Sequence, residues 1–182
     1  MKKKILFNKK KGILFWVTGL SGSGKTTIAK KIKREITNLY GPTLIISGDD
    51  LRKIFKFNKY DLKSRLILSR KFCKFAKFIT NQNINLIFAI VGMMNEPRNW
   101  NRKNIENYFE IYIKSNLKKI ISKKKKKIYH SPKVKGEIVG IKIKPEYPTN
   151  YNVLIKNNFN KNTSQLAREL ISKIKKSIKF KK

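Results

Sequence analysis

Short apolar segments alternate along the chain with longer segments in which apolar residues recur at helical spacing. The short segments are rich in β-branched and aromatic residues, which is typical of buried strands; they lie at 13–18, 43–46, 84–91, 109–113 and 152–155. The helical spacing predicts helices from residue 25 to about 41, from 62 to 80, from 97 to about 107, and from 163 onward. Apolar strands that alternate with helices indicate an α/β fold, with three α/β/α layers around a parallel sheet of about five strands.

The length of 182 residues suits one domain with a core of its own. We assign residues 13–182 to this domain and residues 1–12 to a basic N-terminal extension. Five consecutive lysines at 123–127 predict an exposed loop, interpreted as part of a lid over about 122–146. The apolar start of the chain is interrupted by polar residues at 8–11, and no apolar run reaches the roughly 18–20 residues of a membrane span. A cytoplasmic protein without a membrane partner is therefore expected.

The net charge of +35 has two explanations. An electropositive surface would attract nucleic acid or anionic substrates. Alternatively, lysine is abundant because it shares A/T-rich codons with isoleucine and asparagine, which are also abundant. The lysines are spread along the whole chain, which favours the codon explanation and predicts that nucleic-acid binding is absent or non-specific.

The single cysteine, Cys73, excludes an internal disulfide and a cysteine-based zinc site.

A glycine-rich segment between the first predicted strand and the first predicted helix matches the pattern G-x-x-x-x-G-K-[ST]. Glycines allow successive N–H groups to curl around phosphates, and the helix that follows adds its free N–H groups. In such a loop Lys25 reaches the β- and γ-phosphates, and the Thr26 hydroxyl is a Mg²⁺ ligand. The segment predicts a P-loop NTPase fold that binds ATP with Mg²⁺ through Gly19, Leu20, Ser21, Gly22, Ser23, Gly24, Lys25, Thr26 and Thr27.

Two further groups of charged residues follow the second predicted strand. Asp49 and Asp50 lie at the carboxyl edge of the sheet, where a carboxylate can hold Mg²⁺ or accept a proton from an attacking hydroxyl. Capping of a helix is the alternative role for one of the two. Five of the seven arginines lie between this strand and the helix after the third strand, and their planar groups suit an anionic substrate, although ordinary surface positions remain the alternative; they are Arg52, Arg65, Arg70, Arg98 and Arg102.

These residues resemble the adenylylsulfate kinase family. Residues 15–29 are similar to the opening of that family almost residue by residue, and 48–52 resemble its D-G-D-N-[LV]-R segment. The resemblance implies ATP-dependent phosphorylation of a hydroxyl of adenylylsulfate, a step of sulfate assimilation, or of a similar small anionic nucleotide, and a homodimer is a further expectation. It implies that Lys25 and Asp49 are catalytic, and that Asp49 serves Mg²⁺ with Thr26. The residues implied to contact the acceptor are Asp49, Arg52, Arg65, Arg70 and Arg98.

The acceptor side also contains departures from the family pattern. Leu68 stands where the family has asparagine, and residues 91–95 read V-G-M-M-N in place of I-S-P-F-R. Trp100-Asn101-Arg102 resembles a kinase-like branch found in surface-polysaccharide gene clusters. Two alternatives follow: a kinase for another nucleotide-linked anion in surface-polysaccharide modification, and an RNA-binding or non-catalytic P-loop protein.

Overall fold

The computed structural model describes residues 5–123 and 138–180. The strands are β1 (Ile5–Phe7), β2 (Leu14–Thr18), β3 (Thr43–Ser47), β4 (Asn85–Ala89), β5 (Tyr108–Lys114), β6 (Val153–Lys156) and β7 (Ile178–Phe180). The helices are α1 (Lys25–Tyr40), α2 (Gly48–Ile54), α3 (Leu62–Asn81), α4 (Asn95–Asn104), α5 (Leu117–Ser122) and α6 (Thr163–Ser177).

The central sheet has five parallel strands in the order β3-β4-β2-β5-β6. Strand β2 lies in the middle and is buried on both faces. Phe15 and Val17 pack into a core with α1 and α6, whereas Leu14 and Trp16 pack on the opposite face with α3. The predicted α/β fold, with three layers and five parallel strands, is confirmed.

Several element boundaries differ from the sequence predictions, each for a local reason. Helix α4 ends at Asn104 rather than near 107, because the next residue, Ile105, is extended and buried in the core. Strand β4, the third predicted strand, begins at Asn85 rather than at residue 84, because Asn83 has a positive φ of 57° and closes the turn before the strand. The sequence pattern also did not predict the short helix α2, which begins directly after β3.

The N-terminal segment packs against the domain. Strand β1 pairs in parallel with β7, so the first and last described strands form a separate two-stranded sheet. Phe7 is 1% exposed and meets Phe109 edge to face, with 6.3 Å between the ring centroids. Asn107 donates from its amide to the carbonyl oxygens of Asn8 at 2.7 Å and Lys11 at 2.8 Å. The segment predicted as an extension, 1–12, therefore contains residues that contribute to the core.

Among the described residues, no helix combines the length and the apolar character that crossing a membrane would require.

Candidate active site

The glycine-rich loop connects the end of β2 to the start of α1. Its backbone follows a path that side chains would obstruct: Gly19 has φ 151°, and a Cβ atom there would lie 2.4 Å from the carbonyl oxygen of Ile113. Gly24 adopts the left-handed region at φ 91° and precedes α1 without a side-chain cap. The N–H groups of the first turn of α1 therefore have no side-chain acceptor from the N-cap and suit an anion.

Lys25 is folded into the loop that it follows. Its side chain is 7% exposed, and Nζ donates to the carbonyl oxygen of Leu20 at 2.7 Å. The structure therefore holds the ammonium group within the loop. A phosphate in the loop would offer that ammonium group a stronger, charged acceptor.

A cavity of about 450 Å³, here called the P-loop cavity, opens above this loop at the carboxyl ends of β2, β3 and β4. Its volume lies in the range of small-molecule sites. The predicted residues that line it are Ser21, Gly22, Gly24, Lys25, Thr26, Thr27 and Asp49. Gly19, Leu20 and Ser23 do not line it; Leu20 and Ser23 are buried beneath the loop.

Residues after β6 complete the P-loop cavity and were not predicted as site residues. Asn157 donates from Nδ2 to the carbonyl oxygen of Ser23 at 3.0 Å, and its backbone N–H donates to Lys114 at 2.8 Å. Phe159, Lys161 and Thr163 line the cavity farther from the loop.

The two neighbouring aspartates have separate positions. Asp50 forms a capping box at the start of α2: its carboxylate accepts from the Ser47 hydroxyl at 2.7 Å and from the Ser47 N–H at 3.1 Å, while its own N–H donates to Ser47 Oγ. These hydrogen bonds lower the pKa of the Asp50 carboxyl. Asp49 instead lines the P-loop cavity and a second cavity beside it. The helix-cap alternative therefore describes Asp50.

The second cavity, here called the arginine cavity, measures about 100 Å³ and shares five lining residues with the P-loop cavity. The shared residues are Ser21, Gly48, Asp49, Ile90 and Val91. A ligand in the arginine cavity would thus lie next to one in the P-loop cavity, with Asp49 at the junction. The remaining walls are formed by Arg52, Tyr60, Arg65, Leu68, Ser69, Phe72, Gly92, Met93, Met94, Ile138 and Val139.

Two of the predicted arginines meet on one wall of the arginine cavity. The guanidinium carbons of Arg52 and Arg65 lie 4.4 and 5.4 Å from the ring centroid of Tyr60. Arg52 also donates to the carbonyl oxygen of Lys59 at 2.9 Å, and Arg65 donates to that of Tyr60 at 2.5 Å. Burial lowers the pKa of Arg52. Tyr60, which the sequence did not single out, is the aromatic residue that both cations approach.

The other arginines lie elsewhere. Arg70 is exposed and forms an ion pair at 2.5 Å with Glu96, which joins α3 to α4. Arg98 is 2% exposed and lies beside the buried Glu110, which Arg102 also contacts at 2.7 Å. In the described part of the chain, neither Arg70 nor Arg98 lines the arginine cavity.

The predicted lid is only partly described. Lys123 lines the P-loop cavity, and Ile138 and Val139 line the arginine cavity. Residues 124–137, which include most of the lysine run, lie outside the described residues. The prediction that this segment closes over ATP therefore stays a prediction.

The oxygen atoms near the loop fit a hard cation. Thr26 and Asp49 line the same cavity, and magnesium bound to a nucleotide needs only one or two protein oxygens besides phosphates and water. Within 5–123 and 138–180, no group of three histidine, cysteine or acidic residues could hold a metal by itself. The residues present therefore suit a metal that arrives with the nucleotide rather than a metal held by protein alone.

A parallel sheet, a glycine loop between its central strand and a helix, and a carboxylate at the neighbouring strand end define a P-loop phosphotransferase. The sequence pattern of the adenylylsulphate kinase family matches residues 11–156. The chain belongs to this family.

Individual relatives differ in their named substrates. The chain is 32% identical to the cytidine diphosphoramidate kinase of Campylobacter jejuni over 163 residues, covering 88% of this chain and 95% of the relative. It is 29% identical to the adenylyl-sulfate kinase of Clostridium kluyveri over 163 residues, covering 87% and 80%. Among solved structures, the adenylylsulfate kinase CysC of Mycobacterium tuberculosis, in complex with AMPPNP and APS, superimposes with a TM-score of 0.78. It shares 22% identity, with coverage of 91% and 98%, and supports the fold.

Family membership confirms the predicted activity class. The protein is a kinase that transfers a phosphoryl group to a hydroxyl of adenylylsulfate or a similar small anionic nucleotide. Kinases of this family use ATP with Mg²⁺. The RNA-binding and non-catalytic alternatives are less well supported, while the cytoplasmic location and the homodimer stay predictions.

Proposed function

We propose that the acceptor is cytidine diphosphoramidate or a closely similar nucleoside diphosphate-linked anion, rather than adenylylsulfate. The observation that carries this proposal is the similarity to the Campylobacter jejuni enzyme, which extends over 95% of that protein at 32% identity. The similarity to the Clostridium kluyveri adenylyl-sulfate kinase is lower, at 29%, and covers less of the relative.

The arginine cavity supports this choice through its apolar wall. Leu68 is 2% exposed and, with Phe72 and Met93, forms a wall without the amide that the family pattern places at position 68. An amide there could hydrogen-bond an acceptor, whereas leucine offers only apolar contact.

The charges of the cavity support an acceptor with two anionic groups. Arg52 and Arg65 flank Tyr60, and guanidinium groups bind phosphate oxygens in pairs of hydrogen bonds. A diphosphate-linked anion offers such oxygens on adjacent groups. We assign Arg52 and Arg65 to its binding; Arg70 and Arg98, predicted as acceptor contacts, do not line this cavity.

On the ATP side, the loop amides and the first turn of α1 hold the phosphates, and Lys25 moves from Leu20 to the β- and γ-phosphates. Thr26 and Asp49 are the residues that would hold Mg²⁺, which neutralises charge between the phosphates when bound. Asp49, at the junction of the two cavities, orients the acceptor hydroxyl and accepts its proton as the phosphoryl group transfers.

The proposal is tested by comparing acceptors with ATP-Mg²⁺ as the donor. We expect kcat/KM for cytidine diphosphoramidate to exceed that for adenylylsulfate by at least about tenfold, because about 1.4 kcal/mol of discrimination suffices for that ratio. CDP and ATP alone serve as baselines. An efficiency for adenylylsulfate equal to or above that for cytidine diphosphoramidate would contradict the proposed acceptor while leaving the kinase class intact.

Arg65→Gln tests the arginine wall. We expect the acceptor KM to rise roughly 10- to 100-fold, since a hydrogen bond to a charged group contributes roughly 1.5–3 kcal/mol, with the KM for ATP within about twofold of wild type. Arg34→Gln on the exposed side of α1 is the matched control and leaves both constants unchanged. An Arg65→Gln enzyme with an unchanged acceptor KM would remove this wall from acceptor binding.

A further inference from the structure

Arg98 is a buried cation that donates hydrogen bonds to three oxygen atoms of the protein. Its Nη1 donates to the carbonyl oxygen of Gly92 at 2.8 Å, and its Nη2 donates to the carbonyl oxygen of Glu146 at 2.8 Å and to Asn95 Oδ1 at 2.5 Å. The side chain is 3% exposed. One planar group thus binds two chain segments that are separated by about fifty residues in the sequence.

The charge of Arg98 is balanced by a carboxylate in the central sheet. Glu110 in β5 is 0% exposed, and its Oε1 lies 3.5 Å from Arg98 Nε. Its other oxygen accepts from Arg102 at 2.7 Å and from the Tyr108 hydroxyl at 2.9 Å. Burial raises the pKa of Glu110, and the Tyr108 hydrogen bond and the two arginines oppose that rise. Glu110 therefore pairs with Arg98 at Nε, while Nη1 and Nη2 bind the carbonyl oxygens.

The two segments that Arg98 binds are also joined to each other. Glu146 donates from its N–H to the carbonyl oxygen of Met93 at 2.9 Å, and its carboxylate accepts from the Asn95 N–H. The first segment carries Met93 and Met94 of the arginine cavity, and the second begins at Ile138 and Val139 of the same cavity. Between 138 and 143 the chain turns back on Ile138, whose carbonyl oxygen accepts from Lys142 and Ile143. A shift of Glu146 would thus move both parts of that wall.

We propose that Arg98 is a positioning residue for acceptor recognition: it holds the 92–95 loop and the segment that ends at Glu146 in register, and it does not touch the acceptor. The inference rests on the proposed function only in that the arginine cavity receives the acceptor; it does not depend on which acceptor is used.

Two variants separate positioning from charge balance. Arg98→Lys keeps a cation beside Glu110 but loses the planar fork, so it cannot bond Gly92 and Glu146 together. The double variant Arg98→Met with Glu110→Gln removes both charges, which avoids the cost of leaving a buried charge unpaired. For both, we expect a rise of about 5- to 50-fold in the acceptor KM, with kcat and the KM for ATP within about threefold of wild type. Arg34→Lys is the matched control and shows no change.

Hydrogen exchange provides a readout that does not require turnover. The amides of Asn95 and Glu146 are bonded across the two segments, so both should exchange faster in each variant, while amides of α1 keep their wild-type rates. A raised acceptor KM with unchanged exchange would show that Arg98 contacts the acceptor directly and would overturn the proposal. So would an unchanged KM. If no nucleotide acceptor is used by the wild type, the proposed function fails, and unchanged exchange at these two amides would still overturn the positioning role.

Discussion

The P-loop cavity and the arginine cavity adjoin each other but are built in different ways. The phosphate-binding part of the P-loop cavity is one continuous stretch, in which glycines shape the backbone and the backbone supplies the donors. The arginine cavity collects side chains from α2, α3, the 91–94 loop and the segment at 138–139. Backbone donors are independent of side-chain identity, whereas a wall of side chains changes with every substitution. The ATP side can therefore stay fixed while the acceptor side diverges among relatives.

The largest effect is expected from Lys25→Met, which removes a charge from the P-loop cavity while keeping an aliphatic side chain. Phosphoryl transfer should fall by at least about 10²–10³-fold, because charge developing on the transferred group loses a preorganised cation. The measurement is single-turnover transfer from ATP, with Lys30→Met on the exposed side of α1 as the control. Turnover close to wild type would mean that the loop binds phosphate without contributing to transfer.

A smaller and more selective effect is expected at the junction of the two cavities. Asp49→Asn should lower kcat by roughly 10²-fold or more, the range for a lost general base. Asp50→Asn should affect mainly stability, by about 0.5–2 kcal/mol, because Asp50 takes part in the cap of α2. Steady-state kinetics and thermal unfolding of both variants test this division. Equal losses of kcat would show that the cap at Ser47 also matters for catalysis.

The smallest effect concerns Cys73, on the face of α3 behind the arginine cavity. Burial raises the pKa of its thiol to about 12, and Sγ lies 3.6 Å from the carbonyl oxygen of Pro97. A rise from the ordinary value of 9.0 leaves about a thousandfold less thiolate at neutral pH. We expect no labelling by a thiol-specific disulfide reagent at pH 8 until denaturant is added. Rapid labelling of the folded protein would show that the acceptor side opens often enough to expose Cys73.

The sequence predicted the ATP side more completely than the acceptor side, for a physical reason. The loop at 19–26 is local, so the residues that act together are neighbours in the chain. Arg52 and Arg65 were predicted because arginine is scarce in this lysine-rich chain. Tyr60 was not, since nothing in its local pattern indicates that two cations converge on its ring. Arg98 was predicted as an acceptor contact, because the sequence cannot show whether an arginine faces a cavity or a buried glutamate.

The fold shows the same contrast. Five strands and four helices are long and periodic enough to be predicted from hydrophobic spacing. The seven-residue helix α2 depends on its capping box at Ser47 and Asp50. The same residues are equally typical of a turn, so the sequence alone did not predict a helix there. The short strands β1 and β7 are only three residues each, and only their pairing with one another makes them strands.

That pairing imposes an order on folding. Ile5 lies beside Ile178 and Phe7 beside Phe180, so β1, which is made before the central sheet, finds its partner only after the whole central sheet has been made. Contacts so distant in sequence form slowly, because a long loop must close before they contribute. Until β7 has been made, Phe7 has no neighbouring strand to hold it against Phe109. Leu6, which is 59% exposed even in the folded protein, then lies on a strand that has no partner. A nascent chain therefore displays this apolar edge to chaperones, or to other nascent chains, until β7 has been made.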